Sequence, residues 1–216
     1  MSLQRESALV FQNEACMVIN KLPGVSSEFP NVQAVPVHRL DMPVSGCLLL
    51  AKTSPAAAFL GAAFAERRVE KRYWAIIEKP VNNGLPESGE LVHWLHFDAA
   101  KNKSFAYNEA GRGRKQAVMR YRILGAGINY LFMEIDLVTG RHHQIRAQLA
   151  AEGLHIKGDL KYGTRRSEKS GGIRLHAYSL VFPDPLCNGI TDKKIHVKAL
   201  PPEMDTLWTA FAETTP

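Results

Sequence analysis

Short apolar runs, separated by turn-forming residues, recur along most of the chain and predict a succession of β-strands. From Ala117 to Ile123, and again from Leu131 to Leu137, apolar and polar positions alternate as they do in a strand with one buried face. Continuously apolar runs of similar length predict strands buried on both faces. These runs lie within Ala15–Ile19, Val44–Lys52 and Tyr73–Ile77, and a late strand is predicted from Ile173 to Phe182.

Helical spacing appears in three places between these strands. Ser54 and Pro55 are typical of an N-cap and a first helical position, and the helical pattern continues to about Arg67. A second helix is predicted from about Arg141 to Glu152, where Gly153 is a typical stop signal. A short helix is predicted near the end of the chain.

The order of the elements predicts the fold class. Turn-forming residues between Leu85 and Asp98 predict a hairpin, and the other strands mostly follow one another through turns. We therefore expect an α+β fold with a mixed, largely antiparallel sheet and a few helices, rather than a doubly wound parallel sheet. There is no internal repeat or linker, so residues 1–216 are predicted to form a single domain.

Composition excludes several classes of protein. The chain is 45% hydrophobic and 22% charged, which is typical of a globular domain and not of a disordered one. No uncharged apolar run approaches the ~18 residues of a membrane span, and the start lacks a signal peptide. Cys16, Cys47 and Cys187 are far apart and form no C-x-x-C pair, which predicts a reducing, cytoplasmic location.

Positive charge is clustered, although the net charge is only +6. Clusters of this density suit a polyanionic partner, but they are equally typical of solvated loops. The first cluster comprises Lys101, Lys103, Arg112, Arg114, Lys115, Arg120 and Arg122, with Glu109 as the one acidic residue among them. The second comprises Lys157, Lys161, Arg165, Arg166, Lys169 and Arg174, with Asp159 and Glu168.

Two short segments have the residue types of a functional site. His38-Arg39-Leu40-Asp41 precedes a predicted strand, and it reads either as a contact loop or as a surface loop with an ordinary ion pair. Gly140–Arg146 joins a strand to a helix, where backbone N–H groups could receive an anion. His142 and His143 are adjacent and lack a further ligand at suitable spacing, so no metal site is predicted. Nucleotide-binding loops and the G-x-S-x-G elbow are also absent from the sequence.

Five segments, in order, resemble motifs of the RluA-type pseudouridine synthases, and the resemblance runs from about residue 15 to residue 185. Each segment is a weak match alone, but five in order at sensible spacing are specific. They are Val37–Asp41 with Ser45-Gly46 and Leu48–Lys52, then Lys71-Arg72-Tyr73, Thr139–Arg146, Ile156–Gly163 and Leu175-His176-Ala177.

The resemblance implies the pseudouridine synthase catalytic fold, with an RNA cleft across the sheet, and isomerisation of a uridine in rRNA or tRNA without cofactor or metal. It implies that Asp41 is the catalytic carboxylate, that Arg146 pairs with it, and that Tyr73 stacks on the uracil. Sequence leaves open whether Asp41 attacks C1′, stabilises charge there or removes the 2′ proton. The first motif begins early, which predicts a short form without a separate N-terminal RNA-binding domain.

The remaining site residues are predicted to contact RNA. Arg39 is expected to stabilise the space that a flipped uridine leaves, and His38 to orient the loop. Other predicted RNA or substrate contacts are Lys71, Arg141, His142, Arg114, Lys115, Arg165 and Arg166. We expect structured RNA as the partner, no membrane association and a monomer. The alternative function is a non-catalytic RNA-binding or RNA-folding protein on the same scaffold.

Overall fold

Strands account for most of the regular structure, as the hydrophobic pattern predicts. The computed structural model describes residues 7–28, 33–80, 85–168, 171–187 and 193–214. Within these ranges the strands are β1 (Ala8–Gln12), β2 (Cys16–Lys21), β3 (Val35–Pro36), β4 (Ser45–Ala51), β5 (Glu70–Glu78), β6 (Ser88–Asp98), β7 (Lys103–Tyr107), β8 (Lys115–Ala126), β9 (Tyr130–Leu137), β10 (His155–Ile156), β11 (Leu175–Pro183) and β12 (Lys194–Lys198). The helices are α1 (Ser54–Ala65), α2 (Gln144–Ala151) and α3 (Thr206–Glu213), and two 3-10 turns span Leu160–Tyr162 and Pro185–Cys187.

Contacts divide the chain into two compact units. The first unit comprises Met1–Lys71 and His176–Met204, and the second comprises Arg72–Leu175 and Asp205–Pro216. In the first unit the strand order is β1-β2-β4-β11, with β3 also on β4 and β12 also on β11. β4 and β11 pair in parallel, and the other pairs are antiparallel. Its core packs α1 against the strands through Leu49, Leu60 and Phe182.

In the second unit the strand order is β10-β5-β9-β8-β6-β7, and every pair is antiparallel. α2 packs on one face of this sheet, where Ala147 meets Leu95 and Ala117. α3 packs through Phe211 against Trp74 and Phe132. The predicted fold class, a mixed and largely antiparallel α+β fold, is confirmed. The prediction of a single domain over residues 1–216 stays a prediction.

The N-cap of α1 is Thr53, and the prediction of Ser54 was wrong by one residue. Thr53 has extended backbone angles, and its side chain accepts a hydrogen bond from the Ala56 N–H at 3.3 Å. Ser54 is therefore the first residue of the helix, followed by Pro55. The helix ends at Ala65, and Arg67 after it is left-handed.

The segment Leu85–Asp98 does not contain a hairpin. Residues Ser88–Asp98 form one long strand, and the hairpin is made by β6 with β7, through a turn at residues 99–102. Gly89 is one of the turn-forming residues in this segment, but it lies within β6 opposite Tyr121. A Cβ atom at Gly89 would come within 2.9 Å of the Tyr121 hydroxyl, so the glycine permits close packing rather than a turn.

α2 begins at Gln144 and not at Arg141 as predicted. His143 before it has a left-handed φ of 51°, which separates the preceding turn from the helix. The Gln144 Oε1 atom accepts hydrogen bonds from the Arg141 N–H at 3.0 Å and from the Thr139 hydroxyl at 2.7 Å. Residues 139–143 are therefore held in a tight connection by one buried amide.

Within the described ranges, no helix is long and apolar enough to cross a membrane.

Candidate active site

Asp41 lies half-buried in the loop that leads into β4, and the backbone on both sides of it is anchored. Ser27 accepts a hydrogen bond from the Leu40 N–H at 3.0 Å and donates one to the Leu40 carbonyl at 2.9 Å. The Asp41 carbonyl accepts from the Val44 N–H at 3.0 Å. The position of the Asp41 backbone is therefore set by a hydrogen-bond framework, which a catalytic carboxylate needs if it is to stay in one place.

Lys21 is a fully buried lysine that supports the same loop. Its ammonium group donates to three backbone carbonyls, those of Leu22 and Val25 at 2.9 Å and that of Met42 at 3.2 Å. Burial lowers the pKa of Lys21 to about 8, and the negative charge of Asp41 opposes this shift. Sequence analysis missed this lysine, since a lysine at a strand end is ordinarily exposed.

His38 is hydrogen-bonded to the backbone of β4 in the first unit. Its Nε2 atom accepts a hydrogen bond from the Leu49 N–H at 3.0 Å, and its ring stacks on Phe64 with centroids 4.8 Å apart. Burial lowers the pKa of His38 to about 3, so the ring is neutral at physiological pH and carries its proton on Nδ1. This geometry supports the predicted role in orienting the loop. Arg39 next to it is exposed.

Arg146 forms a buried ion pair with Asp159 in the second unit. Its Nε and Nη2 atoms donate to the two carboxylate oxygens at 2.7 and 2.8 Å, and the two residues are only 5% and 1% exposed. The guanidinium also lies 4.8 Å from the ring centroid of Tyr162. The bidentate pair fixes the plane and orientation of Arg146. Asp159 was missed as a site residue, because its partner is 13 residues away in the sequence.

The turn before α2 carries two of the predicted RNA contacts. Arg141 is exposed, and its Nε atom donates to the Gln116 carbonyl at 3.2 Å. The His142 ring lies between Phe97 at 4.3 Å and His143 at 3.8 Å. Because the Arg141 N–H is bonded to Gln144, this N–H is not part of the anion-binding helix start that the sequence had suggested.

Tyr73 and Lys71 both lie on β5. Tyr73 is 7% exposed and pairs with Ile135 of β9. Burial, together with the neighbouring charge of Arg67, lowers the pKa of Lys71 to about 8. The roles of these residues, and the predicted pairing of Arg146 with Asp41, stay predictions.

The basic clusters differ in how many of their charges are available. Arg165, Arg166 and Lys115 are exposed, whereas Arg114 lies over the Tyr107 ring at 3.7 Å. Several other members are paired with carboxylates, which the sequence count within each cluster did not reveal. These pairs are Arg120 with Glu90, Arg122 with Glu134, and Lys157 and Arg174 with Glu168. Lys169 lies outside the described residues.

In the part of the chain that the structure describes, no group of three or more His, Cys, Asp or Glu side chains is arranged to hold a metal ion. His142 and His143 instead contact hydroxyl groups. The Nδ1 atom of His142 is 3.1 Å from the Ser104 hydroxyl, and that of His143 is 3.0 Å from the Tyr162 hydroxyl. Burial is also the main cause that lowers the pKa of His143 to about 3.

Residues 17–151 match the family model described as RNA pseudouridylate synthase. Among curated relatives, a ribosomal large subunit pseudouridine synthase D of Zymomonas mobilis is 33% identical over 182 residues, covering 80% of this chain and 54% of that protein. A tRNA pseudouridine synthase C of Haemophilus ducreyi is 34% identical over 198 residues, covering 82% and 75%. The chain thus spans about half of the ribosomal relative's length, and it spans 64% of another curated relative.

The fold also matches a solved structure. Human RNA pseudouridylate synthase domain containing 1 superposes with a TM-score of 0.75 at 22% identity, covering 100% of this chain and 98% of that one. At this identity the likeness concerns the fold alone.

Proposed function

The chain belongs to the RNA pseudouridylate synthase family, and we propose that it isomerises a uridine of ribosomal or transfer RNA to pseudouridine. The observation that carries this proposal is the family match over residues 17–151, which includes Asp41, Tyr73 and Arg146. The two relatives are named for the ribosomal large subunit and for tRNA, so we include both ribosomal and transfer RNA in the proposal.

In this reaction the bond between uracil N1 and ribose C1′ breaks, the base turns, and a bond forms between C5 and C1′. The proton on C5 leaves to solvent, N1 takes up a proton, and no electrons are gained or lost. The step at C1′ needs a carboxylate close to the glycosidic bond, and we assign it to Asp41. The carboxylate serves as nucleophile, as a stabiliser of positive charge at C1′, or as the base for the 2′ proton. The anchored loop supports each of these roles, because each requires a fixed carboxylate.

Arg146 and Tyr73 are assigned to the handling of the base and of charge. The bidentate pair with Asp159 prevents Arg146 from changing its rotamer, so its cationic group is presented in one orientation. Tyr73 is assigned to stack on the uracil. Both assignments rest on the family motifs, and the burial and rigidity of Arg146 support its part.

Access to the uridine requires that it leave its stack, which costs ~a few kcal/mol. Arg39 is exposed beside Asp41, and we assign it to the vacated space in the RNA. Contacts with the RNA itself are assigned to exposed or half-exposed residues. These are Lys71, Arg141, His142, Arg114, Lys115, Arg165 and Arg166.

The test is release of tritium from RNA labelled at uridine C5, with ribosomal and transfer RNA pools supplied separately. We expect release from at least one pool, and loss of release in Asp41→Asn, since the amide keeps the shape but removes the negative charge. Glu66→Gln, an exposed carboxylate at the end of α1, is the matched control and should keep full activity. RNA binding by Asp41→Asn should equal that of the unchanged protein.

Two results would contradict the proposal in different ways. Release by Asp41→Asn at the normal rate would remove Asp41 from the mechanism but keep the reaction. Absence of release from both pools and from intact ribosomal subunits, with RNA binding retained, would instead favour a non-catalytic RNA-binding protein.

A further inference from the structure

The two faces of the β6–β7 hairpin have different surroundings. Leu95 packs with Ala147 of α2, and the Nδ1 atom of His93 is 3.2 Å from the Gln148 side chain of the same helix. Because successive side chains of a strand point to opposite faces, Trp94 and His96 lie on the face away from α2. That face is therefore also the one away from Arg146, which is on α2.

Four rings lie together on this face. Trp94 pairs directly with Tyr107 across β6 and β7, and His96 pairs with Phe105. Directly opposed residues have Cβ atoms about 5 Å apart, so the four rings are cross-strand neighbours on this face. Tyr107 is 37% exposed and His96 is exposed, while Trp94 and Phe105 are half-buried. We call these four residues the hairpin face.

Cations surround the hairpin face. The Arg114 guanidinium lies 3.7 Å from the Tyr107 ring centroid, and the Nζ atom of Lys103, on the last strand of the sheet, lies 5.5 Å from the Phe105 centroid and 4.7 Å from that of Tyr162. Lys103 donates to the Lys161 carbonyl and Arg114 to the Glu109 carbonyl. A carbonyl is neutral, so these two hydrogen bonds leave both positive charges in place.

A sheet face with aromatic rings bordered by cations has the chemistry of a single-stranded RNA platform, and the neighbouring carboxylate of Asp98, opposite Lys103, is paired with Lys101. Unpaired bases stack on aromatic rings and on guanidinium planes, and the phosphates are attracted to the nearby cations. A protein partner would not need this excess of positive charge. The charge is therefore the observation that favours RNA.

We propose that the hairpin face stacks unpaired nucleotides of the RNA, on the opposite side of the sheet from Arg146. The inference rests on the proposed function for the identity of the RNA, and it adds a second contact surface to the one around α2. An RNA that uses both surfaces passes around β7, which is the last strand of the second unit's sheet.

Tryptophan fluorescence of the full chain tests this proposal directly. The chain has three tryptophans, of which Trp74 and Trp208 are only 2% and 5% exposed, so a stacked base should quench mainly Trp94. With a short single-stranded oligouridylate as the probe, we expect saturable quenching that is absent in Trp94→Phe. Phe105→Ala and Tyr107→Ala should each weaken binding by about fivefold or more.

Controls separate stacking from loss of structure. Tyr107→Phe keeps the ring and should keep the affinity, whereas Ile128→Ala shortens an exposed apolar side chain at the other end of β8 and should change nothing. Absence of quenching, or equal affinity of Tyr107→Ala and the unchanged protein, would overturn the proposal. So would a concentration-dependent dimer that buries Trp94 and excludes the oligonucleotide.

Tritium release on the same proteins keeps the two proposals distinguishable. Quenching without tritium release from any RNA would overturn the proposed function and leave the stacking surface standing. Tritium release without quenching would do the reverse.

Discussion

At the scale of single residues, the site depends on side chains that hold others in place. Lys21 is the clearest case, because a fully buried ammonium group is costly unless its donors are all used. Its three hydrogen bonds join the segment after β2, through the carbonyls of Leu22 and Val25, to the Asp41 loop, through the carbonyl of Met42. Lys21 is therefore a positioning residue, which acts through the loop and not on the substrate.

The pKa of Lys21 predicts a pH dependence of stability. The pKa is about 8 in the folded protein and 10.5 as its ordinary value, so the unfolded chain binds more protons between these pH values. The free energy of unfolding contributed by this residue should therefore rise between pH 8 and pH 10.5, by up to about 3 kcal/mol. Below pH 8 the lysine is protonated in both states, and its contribution is constant.

Urea unfolding of the unchanged protein and of Lys21→Met, at pH 7.5 and pH 9.5, measures this effect. Lys71 shifts in the same direction but is present in both proteins, so the difference between them reports Lys21. We expect the free energy of unfolding to rise more with pH in the unchanged protein than in Lys21→Met. Lys21→Met should also release tritium more slowly, with unchanged RNA affinity. Parallel pH profiles would show that Lys21 is not titrating in this range.

At the scale of elements, the Arg146–Asp159 pair ties α2 to the 3-10 turn at Leu160–Tyr162. Asp159→Asn removes the charge that compensates Arg146 within this unit. Breaking a buried pair in this way should lower the free energy of unfolding by about 3 kcal/mol. Replacing both members by apolar residues, as in Arg146→Met with Asp159→Leu, should restore much of the stability without restoring tritium release.

The readouts are urea unfolding and tritium release on all three proteins. An active double variant would show that the reaction does not need the Arg146–Asp159 pair. A single variant as stable as the unchanged protein would show that the charge of Arg146 is compensated without Asp159.

Local patterns predicted most elements, and they were wrong where a distant side chain decides the outcome. The alternation from Ala117 to Ile123 lies within β8, because hydrophobic periodicity is a property of the strand itself. The start of α2 was wrong because the Gln144 side chain holds residues 139–143 in a turn before the helix. The hairpin within Leu85–Asp98 was wrong because Gly89 makes room for the Tyr121 ring of β8 and does not form a turn. Asp41, Tyr73 and Arg146 are proposed from the family motifs and stay predictions, whereas the contacts of Lys21 and Asp159 depend on burial that the sequence does not display.

At the scale of the whole molecule, the net charge of +6 does not show which cations are available to bind RNA. Arg120 and Arg68 are each hydrogen-bonded to a carboxylate, Glu90 and Glu66 respectively. Arg165 and Arg166 are exposed on the turn that follows Gly163. Cations already paired with carboxylates gain little from a phosphate, so position and pairing, rather than the count of basic residues, should decide which of them bind RNA.

The salt dependence of RNA binding distinguishes exposed basic residues from arginines that are paired with carboxylates. Each phosphate contact adds about 0.7 to 0.9 to the slope of log K against log salt concentration. The double variant Arg165→Gln with Arg166→Gln should therefore reduce the magnitude of the slope by about 1.5. The double variant Arg114→Gln with Lys115→Gln should also reduce it. The matched control, Arg68→Gln with Arg120→Gln, removes the same formal charge and should leave the slope nearly unchanged. Equal losses in the test and control pairs would mean that the RNA senses only net charge, and an unchanged slope in every variant would make the clusters solvated surface loops.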